Sequence, residues 1–173
     1  MGYDYGSVLA SVRPSGWDDV LAQVDKQDVY TGDDGTYGLE TDPHVTVLYG
    51  LHGEVHEDLI CRMCQSVAAP IEVSIDGIST FDQEDHDVLK LDVSSKRLRN
   101  LNKAFRGLPH TNDYEGYTPH MTIAYLKKGR ADKYMDLDQK VPDSVKLRRM
   151  EFTPKGADGP AFRFDVSSSA TSE

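Results

Sequence analysis

Two short segments of this chain carry side chains suited to moving protons. PHVTVLYG begins at Pro43 and PHMTIAYL at Pro119, and both place a histidine two positions before a threonine. In a β-strand, positions i and i+2 face the same side. His44 and Thr46 therefore project together, as do His120 and Thr122, while Val45, Val47, Met121 and Ile123 point the other way. An imidazole takes or gives a proton near neutral pH. A pair of them can act on a phosphodiester, one drawing the proton from the attacking oxygen and the other protonating the departing one, each worth ~10²–10⁴-fold. The threonine hydroxyls supply donors toward the non-bridging oxygens, where charge builds in the transition state. No metal is needed in that scheme. One H-x-T alone carries little information, but here Pro, His, Thr and Tyr recur in one frame.

The surrounding pattern predicts elements that bring the two segments together. A strand is expected over 3–12. A helix should open at Ser15, with Asp18 completing an S-x-x-D cap and Val20, Leu21 and Val24 facing inward. The Gly- and Asp-rich run from Tyr30 to Asp42 reads as a loop ended by Pro43. A helix follows over 57–69 with Leu59, Ile60, Met63 and Val67 on one stripe, then strands at 71–76 and 87–93. Ser94 or Ser95 caps a third helix bearing Leu98, Leu101, Phe105 and Leu108. The loop 110–118 leads into His120, and a short helical piece is expected near 130–137. VKLRRMEF and AFRFDV predict a terminal hairpin around KGADGP. Each repeated phrase thus ends a loop and starts a strand in one of two α+β halves. A pseudo-twofold between the halves would face the two histidines across one groove. Under strict alternation, Tyr49 and Tyr125 fall on the face of Val45 and Met121, which predicts core packing for both.

Composition narrows the partners. The formal charge is −10, and an acidic surface repels a polynucleotide backbone at long range. This argues against long RNA or DNA and leaves room for a small anion in a local cleft. Cys61 and Cys64 are the two cysteines, too few for a disulfide framework and consistent with a reducing compartment. No leader-like pattern, myristoylation pattern or bilayer-length apolar run is seen, so a cytoplasmic protein with no membrane partner is expected. His52, His56, Cys61 and Cys64 offer zinc-type ligands. Their spacing is tight, and both cysteines fall within the amphipathic 57–69 run, so no metal and no cofactor is expected.

PHVT and PHMT resemble the paired H-x-[ST] signature of the 2H phosphoesterases, and the likeness covers about residues 3–166. It implies an α+β bilobal fold: two pseudo-twofold-related antiparallel sheets, helices packed outside, and a central groove. A single domain would span 1–166, with a flexible tail at 167–173. The stretch YGLETDPHVTVLYGL, the size and the acidic charge are most similar to the phage anti-CBASS nucleases of that family. That branch implies metal-independent cleavage of 3′-5′ bonds in cyclic di- and trinucleotide messengers. The setting would be the host cytoplasm if the chain is phage-encoded, and the assembly a monomer or weak homo-oligomer. The alternative is a 2′,3′-cyclic phosphodiesterase or 2′-5′ RNA ligase-like enzyme acting on RNA ends or small nucleotides. The resemblance assigns His44 and His120 as the acid/base pair, without fixing which is which, and Thr46 and Thr122 as phosphate donors. For the substrate, Tyr5 is a base-stacking candidate. Lys90, in the apolar run VLKLDV, is a phosphate or base contact, and Glu151 an acceptor for a base edge. Related nucleases carry an aromatic in a C-terminal lid; with no tryptophan after Trp17, Phe152 or Phe162 would have to serve.

Overall fold

In the computed structural model, which describes residues 4–33, 35–112 and 116–166, the two repeated phrases become strands β2 (His44–Leu51) and β5 (His120–Lys127). Around them lie β1 (Gly6–Ser11), β3 (Ile71–Asp82), β4 (His86–Ser94), β6 (Ser144–Leu147), β7 (Arg149–Thr153) and β8 (Phe162–Asp165). They form one antiparallel sheet in the order β6-β3-β4-β5-β2-β1-β7-β8. The two expected halves are β6-β3-β4-β5 and β2-β1-β7-β8, joined edge to edge. At the seam β2 and β5 share the single register pair Val45↔Met121. Those are the residues between His and Thr in each phrase, so the pseudo-twofold passes through the repeat itself.

The apolar face of the sheet is the core. Val8, Ala10, Val45, Val47, Leu91, Met121, Ile123 and Met150 are all buried there. Helix α1 (Trp17–Leu21) packs on β5, α2 (Glu57–Gln65) on β7, and α3 (Lys96–Phe105) on β2 and β3. Ser95 is the α3 cap, its hydroxyl accepting from Leu98 N–H at 3.1 Å. Leu98 and Phe105 are buried beneath it, as their spacing predicts. The α2 stripe is met only in part: Ile60 is buried, but Leu59 turns outward at 38% exposure, Cys64 takes the second buried position, and the helix stops at Gln65.

Several local expectations give way to tertiary contacts. Ser15 caps nothing: α1 starts after Gly16 at φ 84°, with no side-chain cap. A Cβ on Gly16 would lie 2.2 Å from the Lys140 carbonyl, so a close chain approach fixes this turn. Asp18 instead pairs with Arg13. The strand expected at 71–76 runs on to Asp82, past an irregularity at Asp76. The helical piece near 130–137 is a 3₁₀ turn, Asp132–Tyr134. VKLRRMEF is two strands broken at Arg148. β6 pairs with β3 in one half, β7 with β1 in the other, and Arg148 N–H donates to Ser11 O at 2.9 Å at the crossing. The β7–β8 hairpin forms as expected. The start of the first strand at residue 3 and the tail 167–173 lie outside the described residues. Among those described, no helix is long and apolar enough to cross a membrane.

Candidate active site

Both halves break the strand alternation at the same place. On β1, consecutive residues Val8 and Leu9 pair with Leu48 and Thr46, so Val47 is an extra residue in β2. On β4, Leu89 and Lys90 pair with Ala124 and Thr122, so Ile123 is an extra residue in β5. A β-bulge of this kind places two residues opposite one and reverses the faces beyond it. Val47 and Leu48 are both buried, as are Ile123 and Ala124. Tyr49 and Tyr125 accordingly swing to the histidine face and line a cavity there, which corrects the core assignment that strict alternation gives them. The bulge carbonyls find donors outside their strand partners. Val47 O accepts from the buried Asn102 Nδ2 at 2.7 Å, and Ile123 O from Glu40 N–H at 2.9 Å.

Before each bulge the expected pattern holds. Continuing the antiparallel register one step either side of Val45↔Met121 sets His44 opposite Thr122 and Thr46 opposite His120, so all four residues meet on one face of the seam. Each ring is oriented alike: His44 Nδ1 lies 3.0 Å from Asp42 O, and His120 Nδ1 lies 3.0 Å from Thr118 O. A carbonyl can only accept, so both Nδ1 atoms carry the hydrogen and both Nε2 atoms are left to exchange a proton with a ligand.

The surroundings of the histidines differ. His120 is held below the usual histidine range, first by burial and then by the Lys90 charge and that of His44, against a raising hydrogen bond to Thr118 O and the charge of Asp92. Its ring meets Phe81 edge to face at 5.0 Å, and Lys90 Nζ sits 4.3 Å from the same Phe81 ring. His120, Thr46, Thr122, Phe81, Tyr49, Tyr117 and Tyr125 line the cavity, of about 330 Å³. His44 is not among the residues lining that cavity; its register partner Ser11 lines a second depression of about 460 Å³ with Arg13, Asp42, Arg148, Arg149 and Asp165. The Glu40 carboxyl takes Asp42 N–H at 3.1 Å. Burial raises its pKa, opposed chiefly by the nearby His44 charge.

The remaining sequence candidates are placed differently. Lys90 is buried and faces the groove beside Thr122, but its amine is already bound to Asp92 Oδ1 and Ser79 Oγ, both at 2.5 Å. It stands behind Phe81 as a fixed charge near His120. Glu151 lies in the row Thr46–Leu9–Glu151–Arg163 and accepts from Arg163 Nε at 2.7 Å. Tyr5 packs edge-on against Tyr49 and parallel to His52, both at 5.9 Å, so it backs the cavity wall. Phe152 and Phe162 pair across from Val8 on the apolar face, so neither can cover the groove. His52 Nε2 bonds Thr111 Oγ1 at 2.8 Å, His56 precedes α2, and burial pushes the Cys64 thiol up to about 12. Among the described residues no three His, Cys, Asp or Glu gather as metal ligands.

Tyr117, Asn102, Phe81 and Glu40 had no signal in the sequence. Tyr117 is typical: its hydroxyl donates to Thr46 O at 2.8 Å and ties the loop before β5 to the other half's motif. Nothing in residue spacing announces a contact between segments so far apart.

A family model described as the 2′-5′ RNA ligase superfamily matches residues 17–155. The structure of Usb1 from Kluyveromyces marxianus with uridine monophosphate is similar at TM-score 0.59 and 11% identity, over 89% of this chain and 95% of that one. LigT of E. coli with NADP+ is similar at 0.55 and 12%, over 94% and 98%. A third structure, described only as a phosphoesterase, is similar at 0.54 and 13%, over 96% and 99%. At such identities the likeness is one of fold. A search of the curated proteins finds no match.

Proposed function

Because this chain belongs to the 2′-5′ RNA ligase superfamily of 2H phosphoesterases, we propose that it is a phosphodiesterase whose acid and base are His44 and His120. The supporting observation is the seam, where one register pair sets two identically hydrogen-bonded imidazoles and two threonines on a single face. In the proposed reaction His120 Nε2 removes the proton from a ribose 2′-hydroxyl, which bonds to the adjacent phosphorus. The bond from phosphorus to the 5′-oxygen breaks, and His44 Nε2–H protonates that oxygen. A 2′,3′-cyclic phosphate results, and water opens it with the roles exchanged. Burial and the Lys90 charge favour neutral His120, which is the form a base requires. Thr46 and Thr122 donate to the non-bridging oxygens.

The preferred substrate is a cyclic di- or trinucleotide messenger cut at a 3′-5′ bond, which would let a phage disarm CBASS signalling. The charge of −10 and the bounded cavity suit a small nucleotide better than a long polynucleotide. The test is a panel of cyclic dinucleotides, cyclic trinucleotides and linear 2′,3′-cyclic phosphates, incubated with excess chelator. Metal-independent opening of the cyclic oligonucleotides is expected, with either His44→Ala or His120→Ala losing at least about 10³-fold. Turnover of the linear ends alone would establish the RNA-end enzyme instead. An active single-histidine variant would remove the paired acid/base scheme.

A further inference from the structure

The bulge at Ile123 opens onto a group of rings that the reaction above does not use. Tyr30 and Gly38 are clamped to β5 by two backbone bonds, Tyr30 N–H to Tyr125 O and Tyr125 N–H to Gly38 O, each 2.9 Å. The clamp lays Tyr30 and Tyr37 beside His86. His86 shares the face of Lys90 and Val88 on β4, because alternation there is unbroken from Lys90 back to His86. Tyr30 stacks flat on His86 at 4.9 Å and 8°. Tyr37 leans on Tyr30 at 5.3 Å, on His86 at 4.9 Å and on Tyr125 at 5.0 Å. Asp85 fixes two of these rings, accepting from Tyr30 OH at 3.0 Å and meeting His86 Nδ1 at 2.6 Å. The result is a wall that begins inside the cavity at Tyr125 and ends in solvent at Tyr37, which is 40% exposed.

Stability alone does not account for that layout. A cluster built for the core would bury its outermost ring, whereas this one orients the half-buried Tyr30 and the buried His86 by hydrogen bonds and leaves an exposed aromatic, Tyr37, against the cavity-lining Tyr125. Carboxylates stand close by: Asp85 and Asp33 both act on Tyr30. They repel a phosphate, so the neutral part of a nucleotide is what fits here.

We propose that Tyr37 and Tyr125 form a nucleobase-stacking platform, holding the base on the His120 side of the scissile phosphate. The proposal deepens the phosphodiester reading and rests on it for the orientation of the phosphate. A π-face accepts any base, and one stacked base is worth roughly 5- to 150-fold in affinity. The platform would therefore add affinity for nucleotides over sugar phosphates without choosing one base.

Calorimetric titration of the full chain with 5′-AMP and with ribose 5-phosphate tests this, and it needs no turnover. The wild type should bind 5′-AMP about tenfold or more tightly than ribose 5-phosphate. Tyr37→Leu should erase most of that preference with the ribose 5-phosphate affinity unchanged, and Tyr37→Phe should keep it. The platform is overturned if the wild type shows no preference, if Tyr37→Leu retains it, or if that variant weakens both ligands equally. A Tyr37-dependent preference in a protein that cuts nothing would preserve the platform and remove the reaction. Turnover with a preference indifferent to Tyr37 would do the reverse.

Discussion

At the scale of single residues, the two histidines share a hydrogen-bonding pattern and differ in what surrounds them. Lys90 is the sharpest difference. Its amine is bound to Asp92 and Ser79 and covered by Phe81, so it acts on His120 through space and through the ring between them. Removing it as Lys90→Met takes away a charge that lowers the His120 pKa and leaves Asp92, which raises it. The acid limb of the kcat/KM profile should therefore move to higher pH, with the plateau kept within about tenfold. If Lys90 instead grips the substrate phosphate, the whole profile should drop by roughly 10²–10³ with its limbs in place. A pH series on the two proteins separates these outcomes.

At the scale of elements, the bulges decide which side chains belong to the groove, and buried donors hold them. Asn102 reaches from α3 to the Val47 carbonyl. Asn102→Ala leaves that buried carbonyl without its partner, and a loss of about 1–3 kcal/mol in urea unfolding is expected. A change near zero would mean that the bulge needs no such support. What was legible in the sequence follows the same divide. The H-x-T pairs could be read because i and i+2 share a face in any strand. The α3 stripe and its cap could be read because both are local. Strict alternation puts Tyr49 and Tyr125 on the wrong face because a bulge is defined by the partner strand's register, which a single segment does not encode. The adjacent Arg148 and Arg149 do shift the apolar alternation of VKLRRMEF. That phase shift alone does not separate a bulge from a crossing between halves, which depends on the separate edges that β3 and β1 present. The S-x-x-D at Ser15 lost to the close approach of Lys140.

At the scale of the whole molecule, the surface between 3₁₀ turns Lys26–Asp28 and Asp132–Tyr134 is held by one buried carboxylate. Asp28 is 1% exposed and takes Tyr134 OH and Lys133 Nζ at 2.5 Å, with Arg130 at 3.4 Å. Lys133 first, then Tyr134, holds its pKa below the usual aspartate value. A carboxyl so depressed contributes stability above its unfolded value of about 3.9, and loses it as pH falls through the lower folded value. Asp28→Asn should therefore lower the urea midpoint near neutral pH, and the gap from wild type should narrow at about pH 3. A gap that stayed constant would assign the effect to packing. The crossing at Arg148 has a further consequence for how the chain is made. The half containing β3, β4, β5 and β6 is contiguous, whereas the other takes β1 and β2 from early in the sequence and β7 and β8 from late in it. On the ribosome the inner half can close first, while the outer flank of β1 waits bare for residues that emerge last. That bare flank is a template for pairing with another nascent copy.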